Sequence, residues 1–76
     1  MKRIVITRDE VIQFAENLSN ITNGYYELDD AQNVIKTNMA QYDSDLHTWN
    51  YDADAIMFNI MDDAFNFDGK YYTVEG

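Results

Sequence analysis

Ala53-Asp54-Ala55-Ile56-Met57-Phe58-Asn59-Ile60-Met61-Asp62-Asp63-Ala64-Phe65-Asn66-Phe67 is the stretch of this 76-residue chain whose period decides the fold. Ala53, Ile56, Met57, Ile60, Met61, Ala64 and Phe67 recur three and four apart, and Phe58 and Phe65 widen the same face. Such spacing is that of a helical stripe. With Asp52 as its cap, it predicts a central third helix with Ile60 in the core. Asn59, Asp62, Asp63 and Asn66 are left on the polar face. Asp68-Gly69 then signals a type I′ hairpin between Phe65-Asn66-Phe67 and Lys70-Tyr71-Tyr72-Thr73-Val74.

Towards the N-terminus, residues 43–51 fit no period cleanly and read as an ordered loop with one helical turn around Leu46 and Trp49. Ala31, Val34, Ile35, Met39 and Tyr42 predict a second helix, capped by Asp29 or Asp30. Tyr25-Tyr26-Glu27-Leu28 reads as strand or loop. A first helix carries the stripe Val11, Phe14, Leu18 and Ile21 and stops at Asn23-Gly24. It opens on Thr7-Arg8-Asp9-Glu10, a capping box in which hydroxyl and carboxylate satisfy each other's backbone N–H groups. Ile4-Val5-Ile6 is a short β-branched strand, and the last strand pairs with it or with Tyr25-Tyr26. The expected fold is α+β: one domain over residues 1–76, with three helices packed on a small two- or three-stranded antiparallel sheet. An all-α bundle is the alternative.

A chain this short buries only ~60–65% of the surface its unfolded form exposes, so its core is thin. No cysteine is present to add a disulfide or a thiolate metal site. Apolar residues make up 46% of the chain, which argues for folding rather than disorder. Fourteen acids face five bases, a net charge of −9. That balance argues against direct binding to nucleic acid, which needs Lys and Arg to neutralise phosphates. It argues equally against anionic membrane surfaces. No segment has the ~18 apolar residues of a membrane span. Met1-Lys2-Arg3-Ile4-Val5-Ile6-Thr7 is too short in apolar residues for a signal peptide. The expected location is the cytoplasm of a bacterial host cell.

Several acids have a structural reason to exist. On the three-helix reading, Asp9, Glu10, Asp29, Asp30, Asp52 and Asp54 sit at helix N-termini, where the macrodipole favours them. Asp68 is a turn residue. The others have none. Asp62 and Asp63 fall at the end of the third helix and Asp43 and Asp45 just past the second, where the dipole has the wrong sign. Seven acids and no Lys or Arg lie between Gln41 and Gly69. Self-repulsion on that scale lowers stability, so it points to an acidic working surface. Its expected members are Asp43, Asp45, Asp62, Asp63 and Glu27. Trp49 and Tyr51 would be aromatic anchors among them. Replacing Asp62 and Asp63 by Asn should then leave stability unchanged or raise it.

Catalytic chemistry finds little support. There is one His, His47, and no Cys, and the three glycines are isolated at 24, 69 and 76. Nucleophilic catalysis and phosphate-cradling loops both need more than that. Asp43-x-Asp45-x-His47 and Asp52-x-Asp54 supply oxygen ligands, but the Gly and Glu of a calcium loop are missing. No catalytic residue, metal or cofactor is expected, and the protein is not expected to be an enzyme.

In size, in lacking Cys and Pro, and in its acidic patch from Asp43 to Asp68, the chain resembles the small acidic anti-defence proteins of phages and mobile elements, notably anti-CRISPR proteins. The resemblance implies stoichiometric inhibition of a host nuclease complex, such as a CRISPR effector, by a DNA mimic occupying its basic nucleic-acid-binding groove. The inhibitor would act as a monomer or homodimer. The alternative is an interaction module without mimicry: an antitoxin, an adaptor or a phage regulator binding a host enzyme.

Overall fold

The computed structural model describes residues 2–76. β1 (Arg3–Thr7) runs directly into α1 (Arg8–Ile21). The rest of the chain is strands: β2 (Tyr26–Leu28), β3 (Asn33–Lys36), β4 (Ala40–Asp43), β5 (Thr48–Tyr51), β6 (Ile56–Asn59), β7 (Ala64–Phe67) and β8 (Lys70–Glu75). Short 3-10 turns, Thr37–Met39 and Ala53–Ala55, precede β4 and β6. Among the described residues no helix is long and apolar enough to cross a membrane.

α1 forms where its local signals put it. The Glu10 N–H donates to the Thr7 hydroxyl at 3.1 Å, and the Thr7 N–H donates to the Glu10 carboxylate at 3.0 Å. This is the reciprocal cap expected from Thr-x-x-Glu. Val11, Ala15 and Leu18 are buried, Phe14 is half-buried, and Ile21 is exposed. Asn23 and Gly24 both take positive φ, 56° and 85°, and the Gly24 N–H returns to the Ser19 carbonyl. The expected Asp68-Gly69 turn is also present. Both residues have positive φ, 53° and 73°, and Phe67 pairs with Lys70 across them.

The second and third expected helices do not exist. Among the described residues the chain is mostly β, with one α-helix and eight strands in three small sheets, rather than three helices on one sheet. β8 lies between β1, to which it is parallel, and β7, to which it is antiparallel. The expected pairing of the last strand with Ile4-Val5-Ile6 is therefore present, in parallel orientation. β3 lies between β2 and β6, antiparallel to both. β4 and β5 pair only with each other.

The reason lies in side chains that divert the backbone. Asp62 Oδ2 accepts the Asn59 N–H at 3.0 Å, and Asn59 Oδ1 accepts the Met61 N–H at 2.9 Å. These bonds turn the chain between β6 and β7, where a helix would need the same donors for its own ladder. Burial then follows a period of two along β7: Ala64 out, Phe65 in, Asn66 out, Phe67 half in. Ile60 is buried as expected, but Met61 is 61% exposed and Ala64 is exposed too. The second helix fails in the same way. Asp29 does not cap it. The Asp29 carboxylate instead accepts the Asn33 N–H at 2.7 Å and closes the β2–β3 turn. β-branched Val34 and Ile35 then extend into a strand that is buried at both residues.

Core packing joins the two three-stranded sheets. Phe58 of β6 stacks on Phe65 of β7 (4.1 Å, 8° between planes), and Phe65 stacks on Tyr72 of β8 (4.9 Å, 15°). β6 and β7 share no backbone ladder, so this column of rings ties one sheet to the other. Phe14 of α1 packs on Phe58, Phe67 and Tyr72, closing the core from the helix side.

Candidate functional site

Residues 37–54 contribute no buried side chain. They form an arm: a 3-10 turn, the β4–β5 ribbon and the chain leading to the next turn. The expected irregular loop over 43–51 is thus half of a β-hairpin, with Tyr42 opposite Trp49 and Asp43 opposite Thr48. The molecule measures 40 × 22 × 22 Å with a radius of gyration of 12.7 Å. A compact chain of this length would have a radius nearer ~11 Å.

Alternation along the ribbon gives it two faces. Ala40, Tyr42, Trp49 and Tyr51 share one, and Gln41, Asp43, Thr48 and Asn50 share the other. Tyr42 and Trp49 pack ring on ring at 5.1 Å, and Tyr42 remains 49% exposed. At the tip, Asp43 Oδ1 accepts the N–H groups of Asp45 (3.0 Å) and Leu46 (3.2 Å). His47 takes the left-handed position of the turn (φ 51°) and is exposed.

One polar network fastens the arm to the body. The Tyr51 hydroxyl donates to the buried Asp29 carboxylate, which also accepts the side-chain amide of Asn33. Asn33 Oδ1 in turn accepts the Asn59 amide at 2.8 Å. The bond to Asp29 raises the Tyr51 pKa above the ordinary phenol value. A raised folded pKa means the tie is fully present below the unfolded value of ~10 and is lost as pH rises through the folded one. Tyr51→Phe should cost about 1.5 kcal/mol at neutral pH, the low end for a bond to a charged group, because Asn33 still donates to the same carboxylate. Its melting temperature should also fall less steeply above pH ~10 than that of the parent protein. Parallel alkaline melts check both.

The structure distributes the expected site residues over three places. Asp43, Asp45, Trp49 and Tyr51 lie on the arm. Glu27 lies in β2 and accepts the Ser19 hydroxyl at 3.0 Å. Asp62 and Asp63 lie in the β6–β7 turn, not at a helix end. They also have structural work, contrary to expectation: Asp62 closes the turn, and Asp63 pairs with Arg8 at 3.1 Å. Asp52 and Asp54, expected at a helix N-terminus, lie at the end of the arm instead and are exposed. Asp52 does not cap the short turn after it. Their assignment depended wholly on the third helix, and the run without Lys or Arg was the signal that included them.

Asp63 and Glu75 are the only ion-paired acids among the described residues, the latter with Arg3 at 4.0 Å. Among those residues no three His, Asp or Glu side chains come together to hold a metal. No protein-family model, curated protein or solved structure matches this chain.

Proposed function

We propose that this protein is a stoichiometric inhibitor that lays its acidic arm into the basic nucleic-acid-binding groove of a partner, in the manner of the anti-CRISPR proteins it resembles. One observation carries this reading. The arm buries nothing, yet it holds Asp43, Asp45, Asp52 and Asp54 without a single Lys or Arg. Charge that opposes folding, on a segment outside the core, has its use in binding. Duplex DNA offers one charge per ~1.7 Å of axis, and proteins meet it with rows of Lys and Arg. Carboxylates on a short ribbon can occupy the same row. Exposed His47 in a turn, without Cys in the chain, suits a binding protein better than an enzyme.

The test starts with affinity capture from a bacterial lysate and identification of the partner by mass spectrometry. Asn at positions 43, 45, 52 and 54 retains one side-chain oxygen acceptor at each position and removes four charges. That variant should bind the partner at least about tenfold more weakly, because several charge pairs are lost together. Salt should act with opposite signs on folding and on binding. The melting temperature should rise with ionic strength as self-repulsion is screened, while the complex weakens. Nucleic acid should compete for the site. Unchanged affinity of the fourfold variant, or simultaneous binding of nucleic acid, would overturn mimicry. The Tyr42–Trp49 pair, with Tyr42 exposed and Trp49 half-buried, favours the second reading, an interaction module that binds through the aromatic face. That mode predicts little salt dependence.

A further inference from the structure

The β4–β5 ribbon is a sheet of two strands, so each of its edges lacks a neighbouring strand. The Ala40 N–H is spent on the Thr37 carbonyl, so Ala40 and Tyr51 face each other without exchanging ladder bonds. In an antiparallel ladder such pairs alternate with bonded ones, which makes Tyr42 and Trp49 a second non-bonded pair. The N–H and C=O of Tyr42 therefore point away from β5, along the outer edge of β4. Among the described residues no backbone group meets them there. The β4 edge is the more open of the two. Gln41 and Tyr42 are exposed, whereas Tyr51 of β5 is tied to the body through Asp29.

Proteins shield an open edge with Lys, Pro, a bulge or a covering element. This edge has no such shield: the chain has no Pro, residues 37–69 have no Lys or Arg, and the register from Ala40 to Asp43 is regular. It carries negative charge instead, from Asp43 on the strand and Asp45 in the turn. A second copy would set these acids against their own kind, which opposes pairing, whereas Lys or Arg opposite Asp43 favours it. We infer that the outer edge of β4 takes an extended basic segment of the partner as a third strand of the ribbon. Main-chain bonds to Tyr42 supply the affinity and register, and Asp43 selects the charge. The inference rests on the docking reading above and names how the arm engages its partner.

The probes are a blocked hexapeptide of alternating Lys and Thr, its counterpart N-methylated at every residue, and a hexapeptide of alternating Glu and Thr. Methylation keeps the charges and removes every main-chain donor. At low salt the Lys-Thr peptide should change the fluorescence of Trp49, the only tryptophan, whose ring packs on Tyr42. It should bind at least about tenfold tighter than the methylated form, from the main-chain bonds alone. The Glu-Thr peptide should not bind. The Tyr42 N–H should exchange freely with solvent in the protein alone and at least about tenfold more slowly in the complex, with the amides of α1 unchanged. Equal affinity for the methylated peptide, or a Tyr42 N–H as fast in the complex, overturns strand addition and leaves the acidic docking surface standing. A Tyr42 N–H already slowed in the protein alone, with sedimentation that depends on concentration, makes the occupant a second copy and overturns it too. The docking reading falls separately, if the captured partner is indifferent to salt and to nucleic acid.

Discussion

Phe58→Ala should abolish folding at 37 °C or bring the protein to the edge of it. Phe58 is 3% exposed and stacks on Phe65 at 4.1 Å while also touching Phe14 and Phe67. Truncating a buried Phe costs ~3–5 kcal/mol. A 76-residue domain has a total of only about 4–11 kcal/mol to lose. The site amplifies the loss, because the ring column stands where no backbone ladder joins β6 to β7. Phe58→Leu keeps most of the volume and should retain the fold at a lower melting temperature. Denaturant unfolding followed by circular dichroism distinguishes the two. A Phe58→Ala protein that melts like the parent would mean the sheets are joined by something other than this column.

Arg8→Ala should have the next largest effect, about 2–3 kcal/mol from charge-assisted bonds to partly buried carbonyls. Arg8 begins α1, where a cation opposes the helix dipole, so the helix is not what it serves. Its guanidinium donates to the Ile60 carbonyl (2.6 Å) and the Asp62 carbonyl (2.9 Å), and pairs with the Asp63 carboxylate (3.1 Å). It thereby clamps the β6–β7 turn to the start of the helix. Arg8→Lys should recover only part of the loss, because one ammonium cannot reproduce the fork. Asp63→Asn should cost at most ~1 kcal/mol, since its carboxylate is 95% exposed. Asp62→Ala should cost ~1 kcal/mol by orphaning the Asn59 N–H. Both signs oppose the relief of repulsion expected from the three-helix reading. Melting temperatures of the four variants rank these contributions.

The arm and the body thus divide the acids between two kinds of work. Asp29, Asp62 and Asp63 hold turns, the arm's anchor and the Arg8 clamp in place. Asp45, Asp52 and Asp54 are exposed on the arm. Asp43 does both, because it closes the ribbon tip and adds charge there.

Sequence alone was decisive wherever a structural signal is local. The Thr7–Glu10 cap, the stop at Asn23-Gly24 and the Asp68-Gly69 hairpin each depend on residues within four positions of one another, and all three are present. The sign and density of charge, from which the acidic surface was inferred, are also properties of sequence. The strands over 33–36, 56–59 and 64–67 were not legible. Ala53, Ile56, Met57, Ile60, Met61, Ala64 and Phe67 recur three and four apart as in a helix, so the local period pointed away from strands, and the choice was made by partners distant in the chain. Phe65 stacks between Phe58 and Tyr72, β3 needs both β2 and β6, and β8 needs β1 from the opposite end of the sequence. Turn bonds from Asp29, Asn59 and Asp62 became worth more than a helical ladder only once those sheets could form. The arm's two faces followed from that tertiary choice.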